Sequence, residues 1–207
     1  MKRKLLGLCP FVAAGLVASS SFGQIQVAGN LLVNVDATGA PVGPLAYLTN
    51  SGALGGVFLA NNNNVASVTP QVIALGGSGT RGVLLDGNCI SLRHYTDTSG
   101  ATIVLPPAGL TGANPVFSVE AWAYKHSIMS ETALVAWGTR TTGQNVSCNW
   151  GRHISWGGFS WQGGGYDHGW NIVPSPGAWH HLVWTYDGNG NLMLYRDGVL
   201  DKAAVQT

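Results

Sequence analysis

Trp150, Trp156, Trp161, Tyr166 and Trp170 fall within 21 residues, interleaved with Arg152, His153, Asp167 and His168. Rings of this kind offer flat apolar faces, and the polar residues among them offer hydrogen-bond donors and acceptors. A sugar ring presents the complementary pair, apolar C–H faces and a rim of hydroxyls. Trp150, Arg152, Trp156, Trp161, Tyr166, Asp167, His168 and Trp170 are therefore the candidate ligand-contacting residues. The same rings could equally fill an interior, since a large aromatic side chain buries about 150–250 Å². The alternation of Trp156, Phe159 and Trp161 cannot turn every ring to one face, so a division between core and surface is expected.

Other chemistries find little support. The chain has two glutamates, Glu120 and Glu131, and no acidic residue stands two or four positions from Glu120. A strand carrying the paired carboxylates of glycoside hydrolysis, about 5 Å apart in retaining enzymes, is thus missing, and no catalytic residue is assigned. The metalloprotease, nucleophile-elbow, phosphate-loop and CxxC patterns are absent as well. His180 and His181 are adjacent, and adjacent strand residues point to opposite faces, so the two cannot chelate one ion together. One is expected to be buried and hydrogen-bonded, the other to lie beside Trp or Tyr. The run from Asp187 to Asn191 opens like a calcium loop but has Leu192 where glycine is required, and is read as a turn.

Composition narrows the setting. Charged residues make up 9% of the chain against about 25% in ordinary globular proteins, which suits a turn-rich extracellular β protein. Residues 1–23 read as a secretory signal peptide, with Lys2, Arg3 and Lys4 before an apolar run and small residues at the cleavage point. Its apolar run is shorter than the about 20 residues that span a bilayer, and no span is expected in the mature chain. Export to the extracellular space, the periplasm or the cell surface follows. Loss of the three basic residues leaves 7 basic and 9 acidic side chains, so the basic stripe needed for nucleic acid is absent. Cys89 and Cys148 remain after export and form a candidate disulfide; two buried thiols are the alternative.

The elements that must position these residues read as short strands. From residue 24 onward a single domain without a linker is expected. LLVNVD (31–36) is the first strand, followed by a turn-rich stretch to residue 64 with a short strand near 56–59. Further strands are read at 71–75, 82–85, 89–94, 117–124, 132–138, 145–150, 153–156, 158–162 and 168–172. The clearest signal is WHHLVWTYDGNGNLMLYRDGVL (179–200), where Asp-Gly breaks separate three apolar runs and predict an antiparallel meander. No window keeps a 3.6-residue apolar period, so no helix longer than a turn is expected. The fold class is all-β, a sandwich of two antiparallel sheets.

Several segments together resemble the concanavalin A-like jelly roll, in particular laminin G-like domains of bacterial secreted proteins. They are GVLLDGNCISL (82–92), NPVFSVEAWAY (114–124), ETALVAWGTR (131–140) and GAWHHLVWTYDGNGNLMLYRDG (177–198), in the family's order and spacing. The resemblance implies a non-catalytic module binding a glycan or another extracellular surface ligand within a larger secreted protein. A structural spacer or protein-interaction domain is the alternative, and a glycoside hydrolase of the same fold a further one. Recognition is expected in the loops after Trp150 and around 163–167. The resemblance also implies a Ca²⁺ site, with Asp36 the candidate ligand and Asp86 a second choice; Asp36 as an ordinary turn residue is the alternative. In the family, more strands follow the Y-x-D-G hairpin, so a domain lacking its closing C-terminal strands, about 40–50 residues, is expected here. A shorter variant that closes its sheets differently is the other reading.

Overall fold

The computed structural model describes residues 29–61, 69–76, 79–85, 91–111, 114–141, 145–161 and 166–205. Residues 1–23, Asp86, Cys89 and 163–165, to which sequence expectations attach, lie outside the described residues. The chain divides into two compact units, meeting in sequence at Thr102 and Ile103.

The N-terminal unit carries β1 (Gly43–Pro44), β2 (Leu48–Thr49), β3 (Val57–Asn61), β4 (Gln71–Ala74), β5 (Arg81–Leu84) and β6 (Ser91–Tyr95). They form two antiparallel sheets, β1-β4-β5 and β2-β3-β6. Ala37, Leu45, Leu48 and Val72 make its small core. The strand expected at 31–36 is not formed. That segment does run beside 51–54, with Ser51, Ala53 and Leu54 N–H groups donating to the carbonyls of Asn34, Leu31 and Leu32. The Asn50 side chain takes the Asn34 N–H at 2.8 Å, so a side chain replaces the backbone partner a ladder would need.

The C-terminal unit holds one helical turn, α1 (Ala108–Thr111), and seven strands. These are β7 (Val116–Tyr124), β8 (Ala133–Gly138), β9 (Asn145–Asn149), β10 (Phe159–Ser160), β11 (Trp179–Asp187), β12 (Asn191–Arg196) and β13 (Val199–Val205). One antiparallel sheet has the order β13-β12-β11-β7 and the other β10-β9-β8. Their inner faces share a core of Phe117, Val146, Cys148, Trp150, Phe159, Trp161, Trp170, Leu182, Trp184, Tyr186, Leu192 and Leu194. Three of its indole N–H groups are paired: Trp150 donates to Pro174 O, Trp170 to Asn149 O and Trp184 to Gly158 O. Those bonds matter because an unpaired buried donor costs about 1–3 kcal/mol.

The meander forms as its turn residues predict. Asp197 and Gly198 sit at φ 53° and 78°, the left-handed pair of a tight two-residue hairpin between β12 and β13. At the other reversal the Asp187 carboxylate accepts the N–H groups of Asn189 and Asn191, at 2.7 and 3.0 Å, and the Asn191 amide.

Two other expected strands are corrected. Residues 153–156 form a turn, closed by the Gly157 N–H on His153 O at 2.8 Å and by the Ser155 N–H on His153 Nδ1. Segment 168–172 contributes a single bridge, His168 to Phe159. Beyond it the Asp201 carboxylate captures the N–H groups of Asn171 and Ile172, which ends the pairing.

Candidate functional site

The parity of β7 and β11 decides which aromatic rings meet solvent. Their antiparallel register sets Trp122 opposite His181 and Tyr124 opposite Trp179. Phe117, Val119, Ala121 and Ala123 pack toward the core, as do His180, Leu182, Trp184 and Tyr186. Side chains alternate along a strand, so Ser118, Glu120, Trp122 and Tyr124 share the outer face with Trp179, His181, Val183 and Thr185. Trp122 is 66% exposed and Trp179 44%, high values for the largest apolar side chain.

The rings of this strip touch across the strands. Trp122 and His181 stack with centroids 5.0 Å apart and 25° between planes. Tyr124 meets Trp179 at 5.9 Å and His126 edge-on at 5.1 Å. Glu120 Oε1 lies 2.9 Å from His181 Nε2, outside hydrogen-bond geometry. The result is two aromatic rungs with an ionisable pair beside them, on an open sheet face. Such a surface can stack against a flat apolar ligand face and exchange hydrogen bonds at its edge.

Lys125 follows Tyr124 but turns inward. Its Nζ donates to Trp150 O at 2.8 Å and lies 5.6 Å from the centre of the Trp150 ring. Burial pushes its ammonium down to about 8. Its positive charge is therefore directed to the interior, away from the aromatic strip.

The residues singled out from sequence separate into three groups. Trp150, Trp161 and Trp170 are core, at 0%, 7% and 5% exposure, and their rings offer no face to a ligand. The cause is the inner register of β9 and β10 and the bridge that follows them, which carry these rings between the sheets. Tyr166, Asp167 and His168 are half-buried. The Asp167 carboxylate accepts the Trp161 N–H at 2.8 Å, and Tyr166 packs 6.2 Å from the Trp161 ring. Burial, helped by Lys202 and opposed by Asp167, pushes the His168 imidazole below its ordinary range. Arg152 and Trp156 alone are exposed, Arg152 just before the 153–156 turn and Trp156 at its end, where it stacks flat on His153.

Asp36 ends in a turn of its own making. Its Oδ1 accepts from the Thr38 N–H and hydroxyl, at 2.8 and 2.7 Å, and these bonds hold its carboxyl below the usual range. No group of three His, Cys, Asp or Glu side chains that could hold a metal ion occurs among the described residues. Cys148 is a fully buried free thiol, raised by desolvation, and its candidate partner Cys89 is not described. No helix among the described residues is long and apolar enough to cross a membrane.

Trp122, Tyr124 and Trp179 were not among the sequence candidates, yet the signal was present. In FSVEAWAY the alternate positions Ser118 and Glu120 are polar, so their parity mates Trp122 and Tyr124 had to face outward.

Comparison with known proteins places this arrangement. A family model of laminin G type, described as the concanavalin A-like lectin/glucanases superfamily, matches residues 97–207. The chain belongs to the concanavalin A-like lectin/glucanases superfamily. Its nearly all-β architecture of antiparallel sheets is that of the concanavalin A-like jelly-roll sandwich. Among solved structures it is similar to domain 4 of AbnA, a GH43 extracellular arabinanase from Geobacillus stearothermophilus, in complex with arabinotriose. That likeness has a TM-score of 0.51 at 16% identity, over 86% of this chain and 78% of the other, and is one of fold. A search of curated proteins gives no match.

Proposed function

We propose that this concanavalin A-like chain is a non-catalytic carbohydrate-binding module of an exported, larger protein, with residues 1–23 as its export signal. The observation that carries the reading is the exposed strip of Trp122, Tyr124 and Trp179 on the outer face of β7 and β11, with half-buried His181 stacked on Trp122. A spacer domain with wholly internal aromatics has no need of a tryptophan that is 66% exposed. Support also comes from the neighbouring fold, whose title describes a domain in complex with arabinotriose. Arg152 and Trp156 form a second, smaller surface for contact. Binding of this kind is shallow, held by ring stacking and hydrogen bonds without covalent chemistry.

Affinity electrophoresis tests the reading. The full chain is run through gels containing soluble arabinan, xylan or mixed-linkage β-glucan. Retardation in at least one gel is expected, and Trp122→Ala should lose about tenfold in affinity, about 1.4 kcal/mol. Free migration of the folded chain in every gel rejects the proposal.

A further inference from the structure

The outer face of β7 and β11 also limits what kind of carbohydrate it takes, on the reading that it is a carbohydrate site. Its charged positions are Glu120 and Asp187, with His181 one outward position beyond Glu120 in the register, and no lysine or arginine stands at an outward position of either strand. Lys125 spends its ammonium on the Trp150 carbonyl. On β12 the outward neighbours Met193 and Tyr195 are uncharged, and the Tyr195 hydroxyl contacts the Met193 sulfur. A sulfated or uronate chain laid here would meet carboxylates and no fixed cation, and like charges at short range repel.

Shape adds a second limit. Ser118 to Tyr124 covers six residue steps, about 20 Å at about 3.3 Å per residue. Along that length the cross-strand pairs run Tyr124–Trp179, Trp122–His181, Glu120–Val183 and Ser118–Thr185. Stacking rungs thus lead into a stretch with hydroxyl, carboxylate and aliphatic partners. Each rung on an open sheet face offers little area, so a ligand gains affinity by covering several of them.

We infer that the ligand is an internal stretch of an uncharged, linear polysaccharide lying along the β7/β11 pair. The aromatic end grips successive sugar rings, while Glu120, Ser118 and Thr185 accept or donate hydrogen bonds farther along. Charge neutrality of the ligand follows from the carboxylates, and chain length from the run of rungs.

Titration calorimetry of the full chain separates this from the broader reading. The uncharged polymer bound best among arabinan, xylan and mixed-linkage β-glucan is compared with its monosaccharide, disaccharide and hexasaccharide, and with polygalacturonate and heparin. The hexasaccharide should bind at least tenfold tighter than the disaccharide, and both anionic polymers at least tenfold weaker than the neutral one at low salt. Salt should leave the neutral ligand's affinity unchanged. Tighter, salt-sensitive binding of heparin or polygalacturonate, or equal affinity for monosaccharide and hexasaccharide, overturns the inference while leaving carbohydrate binding intact. Failure of every carbohydrate to bind overturns both.

Discussion

His180 Nδ1 lies 2.8 Å from Asp197 Oδ2, while the backbone N–H of His181 donates to Asp197 Oδ1 at 3.1 Å. One carboxylate at the β12–β13 turn thereby grips β11 from two directions. His180 is 6% exposed, and its other nitrogen is bound to Ser175 O at 3.0 Å. With His180 held inward, strand alternation leaves Trp179 and His181 outward. The turn that closes the meander thus helps set the parity of the aromatic strip.

Asp197→Ala should cost about 1.5–3 kcal/mol, the range for hydrogen bonds to a charged group. Asp197→Asn should cost less, because asparagine tolerates the positive φ and keeps an acceptor. Burial pulls the Asp197 carboxyl up, but the hydrogen bonds from His180 and His181, with the charges of His180 and Arg196, hold it below its ordinary range. A carboxyl lowered on folding stabilises the fold above its unfolded value, about 3.9, and that stabilisation is lost as pH falls below about 4. Urea unfolding at pH 7 and at pH 3 checks both points. The gap between wild type and Asp197→Asn should narrow at the lower pH; a gap that widens speaks against the clamp.

Trp184→Ala should destabilise by about 3–5 kcal/mol, since it empties a fully buried indole site and removes one of the two hydrogen bonds to the Gly158 carbonyl. Trp122→Ala should change stability by about 0.2–1 kcal/mol, the scale of one cross-strand pair. Denaturant melts of the two variants test the division between core and surface tryptophans. Equal losses would contradict it.

Lys125 predicts an alkaline rise in stability. Its folded ammonium titrates near about 8, against about 10.4 in an unfolded chain. Between these values the unfolded chain binds more protons, so stability rises with pH. Lys125→Met removes the titrating group and should flatten that rise, at the uniform expense of the bond to Trp150 O. Melting temperatures of both proteins from pH 7 to pH 10 check the slope. Parallel curves would show that the amine is not desolvated.

Much of the fold was legible because turn chemistry is local. Asp197-Gly198 announces a hairpin that the backbone angles realise, and the split of His180 from His181 follows from the two-residue period alone. The segment 31–36 has a strand's alternation but loses its ladder to Asn50, a residue distant in sequence. The candidate site was less legible for a related reason. A cluster dense in tryptophan marks a core as readily as a surface; the rings at 150 and 170 are tied inward by Pro174 and Asn149, and the ring at 161 packs edge-on against Phe159 and Tyr186. The exposed rings stood instead on the best-defined strands, where parity against Ser118 and Glu120 was the usable signal.

The most direct test is fluorine NMR of the full chain with its eight tryptophans replaced by 5-fluorotryptophan, titrated with the neutral polysaccharide that binds best. The resonances of Trp122 and Trp179 should shift with saturation, while those of Trp150, Trp170 and Trp184 stay in place. Shifts confined to Trp156, or spectra unchanged at saturating polysaccharide, would contradict a carbohydrate site on the outer face of β7 and β11.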